Sequence, residues 1–246
     1  MSRLLLVVGA LLTFGCNIVL PLDPPVADGA GLDRTTADTP LDGRCPRYPL
    51  VLLAAGDDGE LAHDNSGVPV WYAAGEEPWD DPDAIYLGHW FGGPTWGYFR
   101  FALPRALDQG GSARGRLGLF GVWETEDWGK SENALLIHAE LADDAATVSG
   151  VQDMPGTTNG RLLTTSTVRW PPSGPLIWAQ GATNSSPDLA PIIDEVVSKQ
   201  GGLAQGAHLQ LWVRGEQANV AEVGTRSFEK ALDPAERARL TLEICP

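Results

Sequence analysis

The sequence predicts an all-β protein: an antiparallel β-sandwich or jelly roll of about ten short strands, with one amphipathic helix over about 188–199 capping one end. Three observations lead there. From Pro46 onward, short runs rich in β-branched and aromatic residues alternate with Gly, Pro and Asp turns. Several runs alternate apolar and polar residues with period two, which gives a strand one buried face. One stretch breaks that period for a helical one.

The clearest strands fall at 98–102, 116–123, 134–141, 164–170, 208–214 and 239–245, with weaker ones at 49–54, 68–72, 84–87 and 225–229. In 208–214, Leu209, Leu211 and Val213 share one face, and His208, Gln210, Trp212 and Arg214 share the other. In 239–245, Leu240, Leu242 and Ile244 oppose Arg239, Thr241 and Glu243. Such alternation implies antiparallel sheets wet on one side, with Trp212 on the exposed side. Leu189, Ile192, Ile193, Val196 and Val197 recur at helical spacing. Asp188 is a good N-cap, Pro191 sits in the first turn where its missing N–H costs little, and Gly201-Gly202 end the helix. A second short helix is expected at 234–238, capped by Asp233.

The ends divide the chain into a signal peptide over 1–15, a Pro/Asp-rich flexible tether over 16–45 and the sandwich over 46–246. Arg3 precedes an apolar run from Leu4 to Phe14, too short to span a bilayer but long enough for a signal-peptide core. The tether, as a coil, reaches about 30 Å. Its Pro21, Pro24, Pro25 and Pro40 are interspersed with five Asp residues.

Composition narrows the function. With 17 Lys+Arg against 32 Asp+Glu, the net charge is −15, which argues against nucleic acid as a partner. An apolar fraction of 43% supplies a core and excludes general disorder. Nine Trp is a high count for 246 residues.

Gly15-Cys16 after Leu12-Thr13-Phe14 resembles the lipobox of bacterial lipoproteins, which implies lipidation at Cys16 and attachment of the chain to a membrane through that lipid. Phe14 and Thr13 depart from the usual pattern, and the alternative is a secreted protein cut near Ala30. If Cys16 carries lipid, Cys45 and Cys245 remain as an even pair in an oxidising compartment, where a disulfide between them would join the two ends of the domain. Two unpaired thiols are the alternative.

Residues 50–230 resemble bacterial extracellular jelly-roll modules of the DNRLRE and carbohydrate-binding-module types. The resemblance rests on Asp57-Asp58-Gly59-Glu60, Gly97-Tyr98-Phe99-Arg100-Phe101, Ile137-His138-Ala139-Glu140 with Asp143-Asp144, the run Thr164 to Trp170, and Ser186-Pro187-Asp188-Leu189 at the helix start. Leu203 stands where the family usually has Trp, and Asp233-Pro234 replaces a Gly-rich turn. The resemblance implies a fold more than a function.

No hydrolase, zinc or redox motif is present: there is no Gly-x-Ser-x-Gly, His-Glu-x-x-His or Cys-x-x-Cys. Gly129-Lys130-Ser131 has the end of a P-loop but lacks its first Gly. Asp57, Asp58 and Glu60 beside a turn Gly are candidate ligands for a structural calcium, which takes six to eight oxygens. The competing reading is a solvated acidic loop. Trp90, Trp96 and Trp128 are candidate sugar platforms, because exposed aromatic faces stack on sugars while nearby carboxylates accept hydroxyl hydrogens. Trp170 and Trp178 read as structural. The expectation is a non-catalytic, exported lipoprotein of the bacterial cell envelope, a structural or protein-interaction module that requires no cofactor. The alternatives are a module binding carbohydrate or surface polymer and, more remotely, a glycan hydrolase.

Overall fold

In the computed structural model, residues 45–245 are described except for 55, 64–67, 74–83, 91–92, 125–133 and 217–221. The lipobox, Cys16 and Trp128 lie outside the described residues. Twelve strands form: β1 (Arg47–Val51), β2 (Asp58–His63), β3 (Pro69–Ala73), β4 (Ala84–Trp90), β5 (Gly93–Ala102), β6 (Ser112–Glu124), β7 (Leu135–Ala139), β8 (Val168–Trp170), β9 (Thr183–Ser185), β10 (His208–Gly215), β11 (Glu222–Arg226) and β12 (Arg239–Cys245). Each of the ten expected strands overlaps one of these. β2 and β9 are additional: Asp58-Gly59-Glu60 and Thr-Asn-Ser carry turn-type residues, and only their neighbours make them strands.

Every strand pairing is antiparallel. One layer runs β3-β2-β5-β10-β7-β8, and the facing layer runs β1-β12-β6-β11-β4, with β9 added on β6. β5 joins the two: Gly93 to Thr95 pair with β4, whereas Trp96 onward pairs with β2 and β10. The result is an antiparallel all-β sandwich. Its core takes Phe99 and Phe101 from β5, Leu209, Leu211 and Val213 from β10, and Leu240, Leu242 and Ile244 from β12. Trp170 and Trp178 belong to this core, 5.8 Å apart between ring centroids.

The helix, α1 (Ala190–Gln200), turns Ile192, Ile193, Val196 and Val197 into the core and lies against β6 and β7, one strand of each layer. It starts one residue later than Asp188 as N-cap would place it, with Leu189 at the cap position. Asp188 still serves that end, because its Oδ1 accepts the N–H groups of Ala190 (3.0 Å) and Gly115 (3.3 Å). Gly201 closes the helix in the left-handed region at φ 78°, as a C-terminal Gly should. The expected second helix is a 3-10 turn, Pro234–Glu236, with Asp233 accepting the Ala235 N–H at 2.8 Å.

The strand expected at 164–170 shortens to its last three residues because the preceding ones have other partners. Thr164 Oγ1 accepts the Ala139 N–H, and Glu195 on α1 accepts the N–H groups of Thr165 (2.9 Å) and Ser166 (2.7 Å). Cys45 and Cys245 form a disulfide with their Cα atoms 5.0 Å apart. Among the described residues no helix is long and apolar enough to cross a membrane.

Candidate functional site

The outer face of the β3-β2-β5-β10-β7-β8 layer carries the most varied chemistry of the domain, and strand register sorts it into rows. β10 residues face β5 residues in the pairs Val213–Gly97, Trp212–Tyr98 and Gln210–Arg100. The same β10 residues face β7 as Arg214–Leu136 and Trp212–His138. One row therefore holds Tyr98, Trp212 and His138. The next holds Arg100 and Gln210, with Glu140 just past the end of β7. Alternation turns all of these away from the core that Phe99 and Leu211 enter.

That face is not wet, contrary to the expectation from period two. Segment 142–165 crosses it and closes a second apolar cluster of Leu61, Trp96, Tyr98, Val148, Met154 and Trp212. Trp212 is 0% exposed rather than a surface ring, because Val148 and Met154 come from outside the alternating pattern that identifies the strand. Tyr98 is equally buried. Its hydroxyl accepts the Trp71 indole N–H at 3.4 Å, and burial pushes its ionisation up to about 12.

Polar clamps fasten the segment to the sheet. Arg161 donates to Glu140 (2.9 Å), Asp153 (2.8 Å) and the Thr147 carbonyl (3.0 Å). Arg100 donates to Asp57 (2.9 Å) and to the Ala145 carbonyl (2.6 Å). Asp144 accepts the His208 N–H, and its Oδ1 lies 2.8 Å from the ring Nδ1 of the same residue; the ring bond first, then the backbone bond, holds its carboxyl below the usual range. Burial pushes the Glu140 carboxyl up, although the Arg161 charge and its hydrogen bond oppose this.

One row beyond Tyr98 and Trp212, the covering by the described residues is incomplete. The β2–β3 register sets Trp71 opposite Leu61, and the β2–β5 register sets Leu61 opposite Trp96. One further step along the β5–β10 register puts Trp96 beside Arg214, whose guanidinium carbon lies 5.3 Å from the Trp96 ring centroid. Leu136 and then Arg169 complete the row. Trp96 is 8% exposed and packs on Trp212 and His138, so its face is turned into the protein and under Arg214. Trp71, Arg214, Leu136 and Arg169 are partly exposed.

Charge along the row is uneven. Arg169 is neutralised by Glu216 at 2.9 Å. Arg214 donates to the Gly215 carbonyl at 2.8 Å and makes no ion pair among the described residues; burial lowers its affinity for a proton, with the more distant Glu216 in opposition. His138 has its Nδ1 3.4 Å from the Thr164 carbonyl and a buried Nε2 without a hydrogen-bond partner among the described residues. Burial pushes its ring toward the neutral form, and Arg214 adds to that.

The three carboxylates selected as calcium ligands are not brought together. Asp57 lies beside Arg100 on the outer face, whereas Asp58 and Glu60 are register partners of Phe99 and Gly97 on the inner one. Asp57 also accepts the Ala54 N–H (3.1 Å), Asp58 the Phe228 N–H (2.9 Å) and Glu60 the Tyr86 N–H (2.5 Å). Among the described residues, no three His, Cys, Asp or Glu side chains converge on a metal-sized site. Of the three candidate Trp platforms, only Trp96 has a described side chain. Trp90 ends β4 opposite Gly93. In the sequence, alternation places Arg214 on the Trp212 face, and only strand register makes Trp96 and Leu136 its neighbours.

No protein-family model matches the chain, and no curated protein matches it. A solved structure of the Gt strain of infectious bursal disease virus overlaps 89% of this chain and 40% of that one, at 9% identity and a TM-score of 0.22. The chain thus spans less than half the length of that protein, and so slight a likeness bears on neither fold nor function.

Proposed function

We propose that this protein is an exported, non-catalytic β-sandwich module, held at a bacterial cell envelope by lipid on Cys16 and acting there through protein interaction or structure. The observation that carries the reading is the Cys45–Cys245 disulfide. Such a bond belongs to an oxidising compartment outside the cytosol. It also sits where the proposed tether would enter the domain, so tension on the tether would meet a covalent bond before it meets a strand pair. The clamps on the outer face support the non-catalytic part: Asp144, Asp153 and Glu140 are occupied in holding segment 142–165, and Asp57 is paired with Arg100.

The test is fractionation and intact mass of the full chain expressed in a bacterium, beside its Cys16→Ser variant. A lipid-sized mass increase on Cys16 and recovery with membranes, both lost in the variant, are expected. A wild-type chain that is soluble and cut near Ala30 would overturn the anchored reading in favour of simple secretion.

A further inference from the structure

We infer that Trp71, Arg214 and Leu136, the partly exposed members of the row that runs through buried Leu61 and Trp96, form a docking surface for an acidic, apolar segment of a partner protein, with a partner carboxylate seated on Arg214. This names the partner chemistry of the interaction reading above, and it stands or falls separately from the lipid anchor.

Arg214 is the first reason. In a chain with almost twice as many acidic as basic residues, this guanidinium has no carboxylate within ion-pair distance among the described residues, whereas Arg100, Arg161 and Arg169 each have at least one. Its position is not loose. It is stacked over Trp96 and tied to the Gly215 carbonyl, so the planar fork is already oriented for a two-point bond to a carboxylate. Burial makes its isolated charge costly, and an incoming carboxylate would remove that cost.

The composition of the row is the second. Trp and Arg dominate the residues that carry protein–protein binding, typically in partly desolvated patches with aliphatic neighbours. Here a partly exposed Trp71 and Leu136 flank Arg214 along one line. Across the five strands from β3 to β7 that line is about 19 Å long at the usual strand spacing. The interior strands have their backbone groups committed to ladders, so recognition falls to side chains. A helix or loop presenting Asp or Glu beside Leu or Phe fits this arrangement. A sugar ring does not gain the Trp96 face, because Arg214 covers it.

The experiment measures binding of the full chain, in detergent, to synthetic 12-residue peptides. One set places Glu or Asp among Leu and Phe; its twin carries Gln or Asn instead. The expected result is at least tenfold tighter binding of an acidic peptide than of its amide twin. That preference should vanish in Arg214→Gln and survive in part in Arg214→Lys. On binding, the indole N–H resonances of Trp71 and Trp96 should shift in the wild-type chain, a readout independent of whether any variant folds. Equal binding of acid and amide peptides, shifts confined to other Trp residues, or a preference intact in Arg214→Gln would overturn the inference. So would a uronic-acid oligosaccharide that binds at this row more tightly than every peptide. A wild-type chain that is soluble and cut near Ala30 yet keeps the acidic-peptide preference would count only against the anchor.

Discussion

Cys45 faces Cys245 as the next same-face pair beyond Arg47 and Glu243, the last residues that β1 and β12 share in register. The disulfide therefore continues the ladder at the end where β1 would begin to peel if residue 44 were pulled. It closes a loop of 200 residues, for which chain entropy alone gives about 5 kcal/mol, with measured values more often 2–4. The double variant Cys45→Ser/Cys245→Ser should lose about 2–4 kcal/mol in denaturant unfolding. In single-molecule pulling from residue 44, β1 should detach at lower force than in the oxidised protein. Equal unfolding midpoints with and without reductant would remove the stapling role.

Pro49 blocks the free edge of β1. Ile244 donates its N–H to the Pro46 carbonyl directly opposite, so positions 46, 48 and 50 bond inward to β12 and positions 47, 49 and 51 turn their backbone groups outward. A proline at 49 deletes one of those outward donors, a common protection against edge-to-edge pairing. Pro49→Val should leave the monomer folded but produce dimers or larger species in sedimentation at high concentration. A strictly monomeric variant would show that the edge is guarded by something else.

Trp212 anchors the second core rather than a surface. Its ring packs edge-on to Trp96 at 6.3 Å and its indole N–H donates to buried Glu140 at 3.4 Å. Trp212→Ala should cost about 3–5 kcal/mol, as for other buried aromatic truncations. Trp71→Ala, at the partly exposed end of the row, should cost clearly less. Similar small losses at both positions would mean that segment 142–165 does not cover the sheet in solution.

What was legible in the sequence follows from how local each signal is. The alternation in 208–214 and 239–245 and the stripe from Leu189 to Val197 are set by neighbours a few residues away, and they became β10, β12 and α1. The cysteine pair was legible from parity and compartment, without geometry. Alternation alone turns Trp212 outward, because nothing near it in sequence announces that Val148 and Met154, some sixty residues upstream, lie across it. Asp57, Asp58 and Glu60 looked like one cluster because a turn was expected there. Once 58–63 is a strand, alternation splits them between two faces. The Trp96–Arg214 contact depends on β5–β10 register, which no local pattern encodes.

Glu195 fastens α1 to the segment before β8. Burial works against its charge, but backbone and hydroxyl hydrogen bonds from Thr165 and Ser166 prevail and hold its carboxyl at about 2, below its usual 4.5. A depressed folded-state value means that the stabilisation is complete above about pH 4.5 and is lost as pH falls from there toward about 2. Glu195→Gln should cost about 1–2 kcal/mol at pH 7, allowing for the solvent around this partly exposed group. The variant should also flatten the pH dependence of stability in that acid window. Parallel wild-type and variant curves between pH 2 and 5 would show the clamp to be neutral in energy.

Asp58 has the opposite sign. It is 0% exposed on the inner face of β2; its Oδ2 accepts the Phe228 N–H, and its buried Oδ1 has no hydrogen-bond partner among the described residues. Burial first, then the nearby Glu229 charge, pushes its carboxyl well above the usual range. A folded-state value raised above the unfolded one means that ionisation opposes folding, so stability is lost as pH rises from about 4, the unfolded value, through the folded one. Asn at this position keeps an oxygen for Phe228 and carries no charge at any pH. Asp58→Asn should therefore match the wild type near pH 4 and exceed it by about 1–3 kcal/mol at pH 8, on the scale of relieving one unpaired buried group. Urea unfolding of both chains from pH 4 to 9 measures this directly. A wild type that keeps pace with the variant across that range would mean that Asp58 is ionised and compensated in the folded protein.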